Sequence, residues 1–250
     1  MRSEKVLVSA GFTAISILWG STWLVIKIGL ESVPPFFGVA IRFTLALTIL
    51  IFIMLARGER LPRDRQSITL FLTLGFLSFS LPFAMVYWGE QYIPSGLASI
   101  LFAVYPFVVA VGSHFFLSGE RLTLYKIIGI MLGFIGILVI FWEDIHIGSA
   151  STLGMAAILL STVFQGISLV TVKKIGKHVS PVALNVGGML IGIVIMYAIA
   201  FAFEDFSSIR FDAKGIGSIL YLGTFGTVAT FVIYYWLLKR VEAEIGRAHV

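Results

Sequence analysis

The sequence predicts an all-α membrane protein, a polytopic helical bundle built as an inverted repeat of five helices with eight of the ten present, and three observations carry that prediction. Apolar runs of 18 or more residues recur along the chain. Lys and Arg residues alternate between successive loops, and the chain resembles itself when slid by 146 to 148 residues.

The runs come first. Hydrophobic residues make up 58% of the chain and charged residues 12%, too few charges to cover the outside of a water-soluble domain of this length. There is no cysteine, so neither a disulfide framework nor a thiolate metal site is available. Eight spans are expected, at roughly 7–28, 35–56, 68–89, 95–117, 126–142, 152–172, 182–203 and 215–238, the fifth being the shortest. Pro34-Pro35, Pro62, Pro94 and Pro181 punctuate them. The first run follows Arg2 and Lys5 as a signal peptide would, but it is too long and lacks a small-residue cleavage site, so a retained helix is expected.

Charge sets the orientation. One side carries Arg2, Lys5, Arg57, Arg60, Arg63, Arg65, Arg121, Lys126, Lys173, Lys174, Lys177, Lys239 and Arg240, and the other only Lys27, Arg210 and Lys214 together with most of the loop acids. Cytoplasmic loops hold the excess of Lys and Arg, which places the N-terminus in the cytoplasm of a multi-pass inner-membrane protein. The basic balance then reflects this loop bias and anionic lipid headgroups. No compact basic motif points to nucleic acid.

At a shift of 146, Gly20 falls on Gly166, Lys27 on Lys173, Val33 on Val179 and Pro35 on Pro181. At 148, Leu74-Gly75 falls on Leu222-Gly223, Phe83 on Phe231 and Tyr87-Trp88 on Tyr235-Trp236. Because five spans separate equivalent helices, the second copy must enter the membrane from the opposite face. The expected division is 7–142 for a first repeat and 152–244 for a partial second one.

These residues resemble the drug/metabolite transporter superfamily, specifically its ten-helix EamA-type permeases. The likeness lies in Trp19-Gly20-Ser21-Thr22, in Pro35 with Arg42-Phe43, in the run from Tyr92 to Ser99, and in Pro106, Gly119-Glu120-Arg121, Gly129, Gly133 and Gly136. In the second copy it is carried by Gly223, Gly226-Thr227, Tyr234-Tyr235-Trp236 and Lys239-Arg240. Such permeases have two five-helix halves, so projecting 94–142 forward by 148 leaves about 50 residues, a ninth and a tenth helix, absent. The last six residues, 245–250, are what one reading frame of a common sequencing-library adapter encodes, and a non-native tail is expected there. The resemblance implies a secondary permease that moves small polar or amphipathic metabolites outward by alternating access, with a non-transporting scaffold or receptor of the same architecture as the alternative.

Candidate site residues are polar or aromatic groups at depths where lipid does not need them. Trp19 lies near the middle of its span, away from the interfacial belt, and lines a central cavity or packs in the core. Ser21 and Thr22 beside it offer hydroxyls, while Gly20 suits close helix approach. Arg42 is the one Lys or Arg well inside a span, about 10 Å from the end of its helix by helical rise. A charge there needs water, headgroups or a partner. It anchors a substrate carboxylate or phosphate through its guanidinium fork, snorkels, or bonds a neighbouring helix. Lys27 sits nearer the end and can snorkel. Tyr87, Trp88 and Glu90 cluster at one end of the third span, where Trp88 reads as belt and Tyr87 as belt or gate. Gln165 and Asn185 orient a solute or glue helices, and His114 reads as structural. Gly129-x-x-x-Gly133 and Gly188-x-x-x-Gly192 serve tertiary packing or a homodimer face.

No P-loop, His-Glu-x-x-His, Gly-x-Ser-x-Gly elbow or inward carboxylate pair is present in the sequence. No enzyme activity and no cofactor are therefore expected, and the expected partners are the lipid bilayer and a small-molecule substrate.

Overall fold

The computed structural model describes residues 2–117, 123–143, 149–234 and 236–237. These form eight long helices: α1 (Arg2–Gly29), α2 (Pro35–Ala56), α3 (Arg65–Glu90), α4 (Ser95–Phe116), α5 (Leu124–Glu143), α6 (Ser149–Ile175), α7 (Pro181–Phe203) and α8 (Ala213–Tyr234). Among the described residues there is no strand. Seven helices are long and apolar enough to cross a bilayer, and α5, the shortest at 20 residues, measures about 30 Å by helical rise. The expected tail, 245–250, lies outside the described residues.

Large apolar side chains such as Phe52, Leu55, Val194, Phe201 and Leu220 face outward, where lipid is as favourable a neighbour as protein. Burial between helices joins an apolar core, with Phe43, Leu50, Leu70, Ile158 and Met189 in it, to hydroxyls such as Ser67, Ser80, Ser161, Thr162 and Thr230. Each hydroxyl can satisfy itself on its own helix, as Thr230 does on the carbonyls of Gly226 and Thr227. Backbones approach closely where side chains vanish: a Cβ on Gly89 of α3 would stand 2.7 Å from the carbonyl of Gly154 on α6, and one on Gly154 would stand 2.9 Å from that of Gly89. Of the two expected packing motifs, Gly188 and Gly192 seat α7 against Leu74 and Phe79 of α3. In α5 only Gly133 faces a neighbour, Phe107, and nothing lies within 4 Å of Gly129. Gly20, expected to allow close approach, likewise meets open space.

The inversion is visible at the ends of α2 and α7. Pro34 cannot cap α2 with a side chain, and the Glu204 carboxylate, just past the end of α7, accepts from the amides of Phe36 (2.6 Å) and Phe37 (2.8 Å) instead. At the other end, Gly58 takes a left-handed φ of 65° and closes α2 in a Schellman turn, with Gly58 N–H on Leu55 and Glu59 N–H on Met54. That turn aims Glu59 at the N-terminus of α7, where its carboxylate accepts from the Ser180 hydroxyl. So α2 and α7 run antiparallel, and each is followed by an acid that serves the start of the other.

Both third helices of the repeat carry the same irregularity. A π-helical turn occupies Gly75–Ser80 in α3 and Thr224–Ala229 in α8, positions that correspond within one residue at a shift of 148. These wider turns sit where α3 crosses α7 and α8 crosses α2. A further break, not expected from the sequence, divides α4 at Ala103 and Val104, where Pro106 has no N–H to continue the ladder.

Candidate functional site

Arg42 lies on the face of α2 that also carries Val39 and Ala46, both fully buried, and only 4% of it is exposed. Its Nε donates to Thr227 Oγ1 (3.2 Å) on the π turn of α8, and its Nη1 to the Tyr87 hydroxyl (3.2 Å) on α3. Nη2 stands 3.5 Å from the Gly226 carbonyl. The guanidinium carbon also sits over two rings, 5.3 Å from the centroid of Phe83 and 5.6 Å from that of Phe43, a cation–π arrangement that strengthens away from water. The guanidinium of α2 thus bonds to α8 and α3 and does not snorkel, which joins three helices at one point. A cavity of about 10 Å³ adjoins it, lined among others by Gly29, Gly38, Tyr87 and Ser218, the size that admits about one water.

The π turn explains Thr227. Its hydroxyl donates five residues back to the Leu222 carbonyl (2.8 Å), which leaves its lone pair for Arg42. Tyr87, left undecided between belt and gate, is 4% exposed and belongs to this cluster. One turn further along α3, Glu90 is fully buried, and neither carboxyl oxygen has a hydrogen-bond partner among the described residues. Lys27 does not snorkel freely: its ammonium donates to the carbonyls of Glu90 and Ile93, the latter at 3.0 Å. The sequence places Glu90 in the cluster with Tyr87 but not its burial, because a charge at a helix end ordinarily reaches water.

The remaining candidates are distributed more widely. Ser21 Oγ lies 2.8 Å from the Tyr221 hydroxyl, tying α1 to α8. Thr22 is 8% exposed, donates to the Trp19 carbonyl (2.6 Å) and places its methyl 2.9 Å from where a Cβ on Gly226 would be. Trp19 itself is 41% exposed, and its ring lies 5.9 Å from that of Tyr234 at a tilt of 44°. Gln165 is half-buried on α6 and makes none of the bonds of the Arg42 cluster. Asn185 is buried and donates to Pro181 at the start of α7 (2.8 Å). Since α2 and α7 are antiparallel, Asn185 sits toward the opposite end of the bundle from Arg42, about 15 Å away along the helix axes by helical rise.

Acidic caps bracket the bundle. At one end Asp212 accepts from the amide of Gly215 (2.8 Å) and the hydroxyl of Ser32 (2.9 Å). At the other, Asp64 accepts from the amide (3.0 Å) and hydroxyl (2.6 Å) of Ser67, with His178 Nε2 at 3.7 Å. The Ser67 hydroxyl holds the Asp64 carboxyl below the usual range, with the Ser67 amide next and His178 contributing less. For Asp212 the Gly215 amide does most of this, followed by Ser32. Burial instead pushes Glu204 up, against the pull of the Phe36 and Phe37 amides.

Seven helices long and apolar enough to cross a bilayer, packed around a deeply buried guanidinium, make this chain a polytopic helical membrane protein. The EamA-like transporter family model matches residues 9–142 and 152–247, and the chain belongs to that family. It is 27% identical over 240 residues to the uncharacterized transporter YoaV of Bacillus subtilis, covering 96% of this chain and 82% of that one. It is 30% identical over 243 residues to protein PagO of Salmonella typhimurium, covering 96% and 79%. A solved crystal structure superposes with a TM-score of 0.69 at 21% identity, covering 92% of this chain and 78% of the other, a likeness of fold.

Proposed function

We propose that this chain is a secondary permease that carries small polar or amphipathic metabolites by alternating access, outward across the bacterial inner membrane, with a cytoplasmic N-terminus. We read residues 7–142 as its first repeat and 152–244 as part of the second. Arg42 is the anchor for an anionic group of the solute: it exchanges its bonds to Thr227 and Tyr87 for a carboxylate or phosphate, and Trp19 and Thr22 border the path. The observation that carries this reading is a guanidinium 4% exposed at a helix crossing, held by neutral partners with no carboxylate among its hydrogen bonds to the described residues. A purely structural arginine in this setting gains most from a carboxylate partner; one that must release its partners to bind an anion is better served by hydroxyls. Ends of equivalent design on opposite sides of that site support two-sided access.

The test is solute flux in proteoliposomes against a panel of carboxylated and phosphorylated metabolites. Solute-dependent flux that falls at least about tenfold in Arg42→Ala, the equivalent of losing charge-assisted bonds of about 1.5–3 kcal/mol, supports it. Undiminished flux in Arg42→Ala and Trp19→Ala removes the site, and no flux of any solute favours a scaffold or receptor. Orientation is checked separately: single cysteines at Arg65 and Lys174 should label from the same, cytoplasmic, side.

A further inference from the structure

Glu90 has no place in the anion site just described, yet it is the least accessible acid among the described residues: fully buried, with both carboxyl oxygens unpartnered. The charged and titratable groups that act on it are Lys27 of α1, Arg42 of α2 and Tyr87 of α3 itself. On the α6 side its neighbour Gly89 meets Gly154 and Ile158, and the turn leading into α4 presents Ile93, 2% exposed. Both cations spend their hydrogen bonds elsewhere. Lys27 donates to the carbonyls of Glu90 and Ile93, and Arg42 to Thr227 and Tyr87. A carboxylate taken out of water with no donor on either oxygen is far costlier than the neutral acid in the same place. An amide or an apolar side chain would fill the volume without that cost.

We propose that Glu90 is a proton-binding site, protonated in this conformation and discharged when the surrounding helix ends separate. The step is heterolytic: the carboxyl O–H bond breaks, the proton passes to water entering the cavity beside Tyr87, and the electron pair stays on the carboxylate. The Lys27 ammonium, released from the carbonyls of residues 90 and 93, then pairs with that carboxylate. An ion pair forms in one state and a neutral acid in the other, so proton occupancy is tied to which state the bundle occupies. The coupling of that proton to solute movement rests on the transporter reading above; the proton site itself does not.

Infrared spectroscopy of the full chain in proteoliposomes, labelled with 13C-carboxyl glutamate, separates the two. The expected result is a carboxylic-acid C=O band near neutral pH that shifts with the label, declines as pH is raised and is absent in Glu90→Gln. Should Glu90→Gln fail to fold, Glu90→Asp is expected to keep an acid band that no longer shifts with labelled glutamate. A wild-type spectrum without any label-sensitive acid band at neutral pH overturns the proposal, as does a band that persists in Glu90→Gln. With solute flux in hand, an imposed pH gradient should change the wild-type rate several-fold and leave the rate of Glu90→Gln unresponsive. Flux that depends on Arg42 in protein lacking the band would refute the proton site alone, whereas the band without flux of any solute would refute the transporter reading alone.

Discussion

Two helix crossings in this molecule share one backbone plan and differ in what fills it. Where α8 crosses α2, a Cβ on Gly223 would stand 2.8 Å from Leu45 and 3.2 Å from the Arg42 carbonyl; where α3 crosses α7, a Cβ on Gly75 would stand 2.6 Å from Ile191 and 3.2 Å from the Gly188 carbonyl. The shifts of 146 and 148 pair all of these residues, and both crossings are made by a π turn. Yet at the first crossing a guanidinium bonds to Thr227, while at the second Gly188 receives the ring of Phe79, which corresponds to Thr227. Repetition builds the scaffold, and the departures from repetition hold the polar chemistry.

The comparison breaks most readily at its shared part. Gly75→Leu and Gly223→Leu each force a side chain into space already taken, and overpacking of this kind costs about 1–3 kcal/mol. Both variants should melt earlier in detergent, by similar amounts. A large loss for one and none for the other would mean that the two crossings are not mechanically equivalent. The departures themselves should matter for binding more than for folding. Thr227→Val removes the acceptor for Arg42 Nε, a bond to a charged group worth about 1.5 kcal/mol; because Arg42 gives up that bond to take the solute, the concentration giving half-maximal flux should fall roughly tenfold. The counterpart change, Phe79→Leu, should lower the melting temperature and leave that concentration unchanged.

Much of this plan was legible in the residue pattern and some was not. Pro35 and Pro181, Gly75 and Gly223 mark the repeat because each is a residue type with a backbone reason to recur. The π turns themselves leave no such mark, since Gly75–Ser80 and Thr224–Ala229 share few side chains and what they share is a crossing. Arg42 could be singled out by depth alone, and Tyr87 only by the partner it finds. Gln165 and Asn185 were grouped with Arg42 because amides at similar depth look alike in one dimension. The antiparallel pairing of α2 with α7 sends Asn185 to the other end. Glu90 could be named at its helix end, but its burial could not be read there because it depends on α1, α4 and α6 together.

Acid should take the bundle ends apart in order. Asp64 and Asp212 are held below the usual carboxylate range, so their contribution is present above the unfolded value and is lost only as pH falls through the lower folded one. Glu204 is pushed the other way by burial, so in the folded state it takes up its proton at a higher pH than in the unfolded chain, and its charged cap on α2 fades first on the way down. Hydrogen-exchange protection factors should therefore fall for Phe36 and Phe37 at a higher pH than for Ser67 and Gly215. Simultaneous loss at all four amides would remove the distinction between the buried cap and the exposed ones.

The smallest effect concerns the residues that meet those aspartates from the preceding loop. At a shift of 146, Ser32 corresponds to His178, so the same cap is completed by a hydroxyl at one end (2.9 Å to Asp212) and by an imidazole at the other (3.7 Å to Asp64). The His178 contact is partly exposed, so salt screens it and its contribution is small. His178→Ala should speed amide exchange at Ser67 by about fivefold or less, the equivalent of about 1 kcal/mol at most, and Ser32→Ala should speed it at Gly215 by a similar factor. An effect of Ser32→Ala with none of His178→Ala would mean that the imidazole takes no part in its cap, so that the two ends differ in more than this substitution within the repeat.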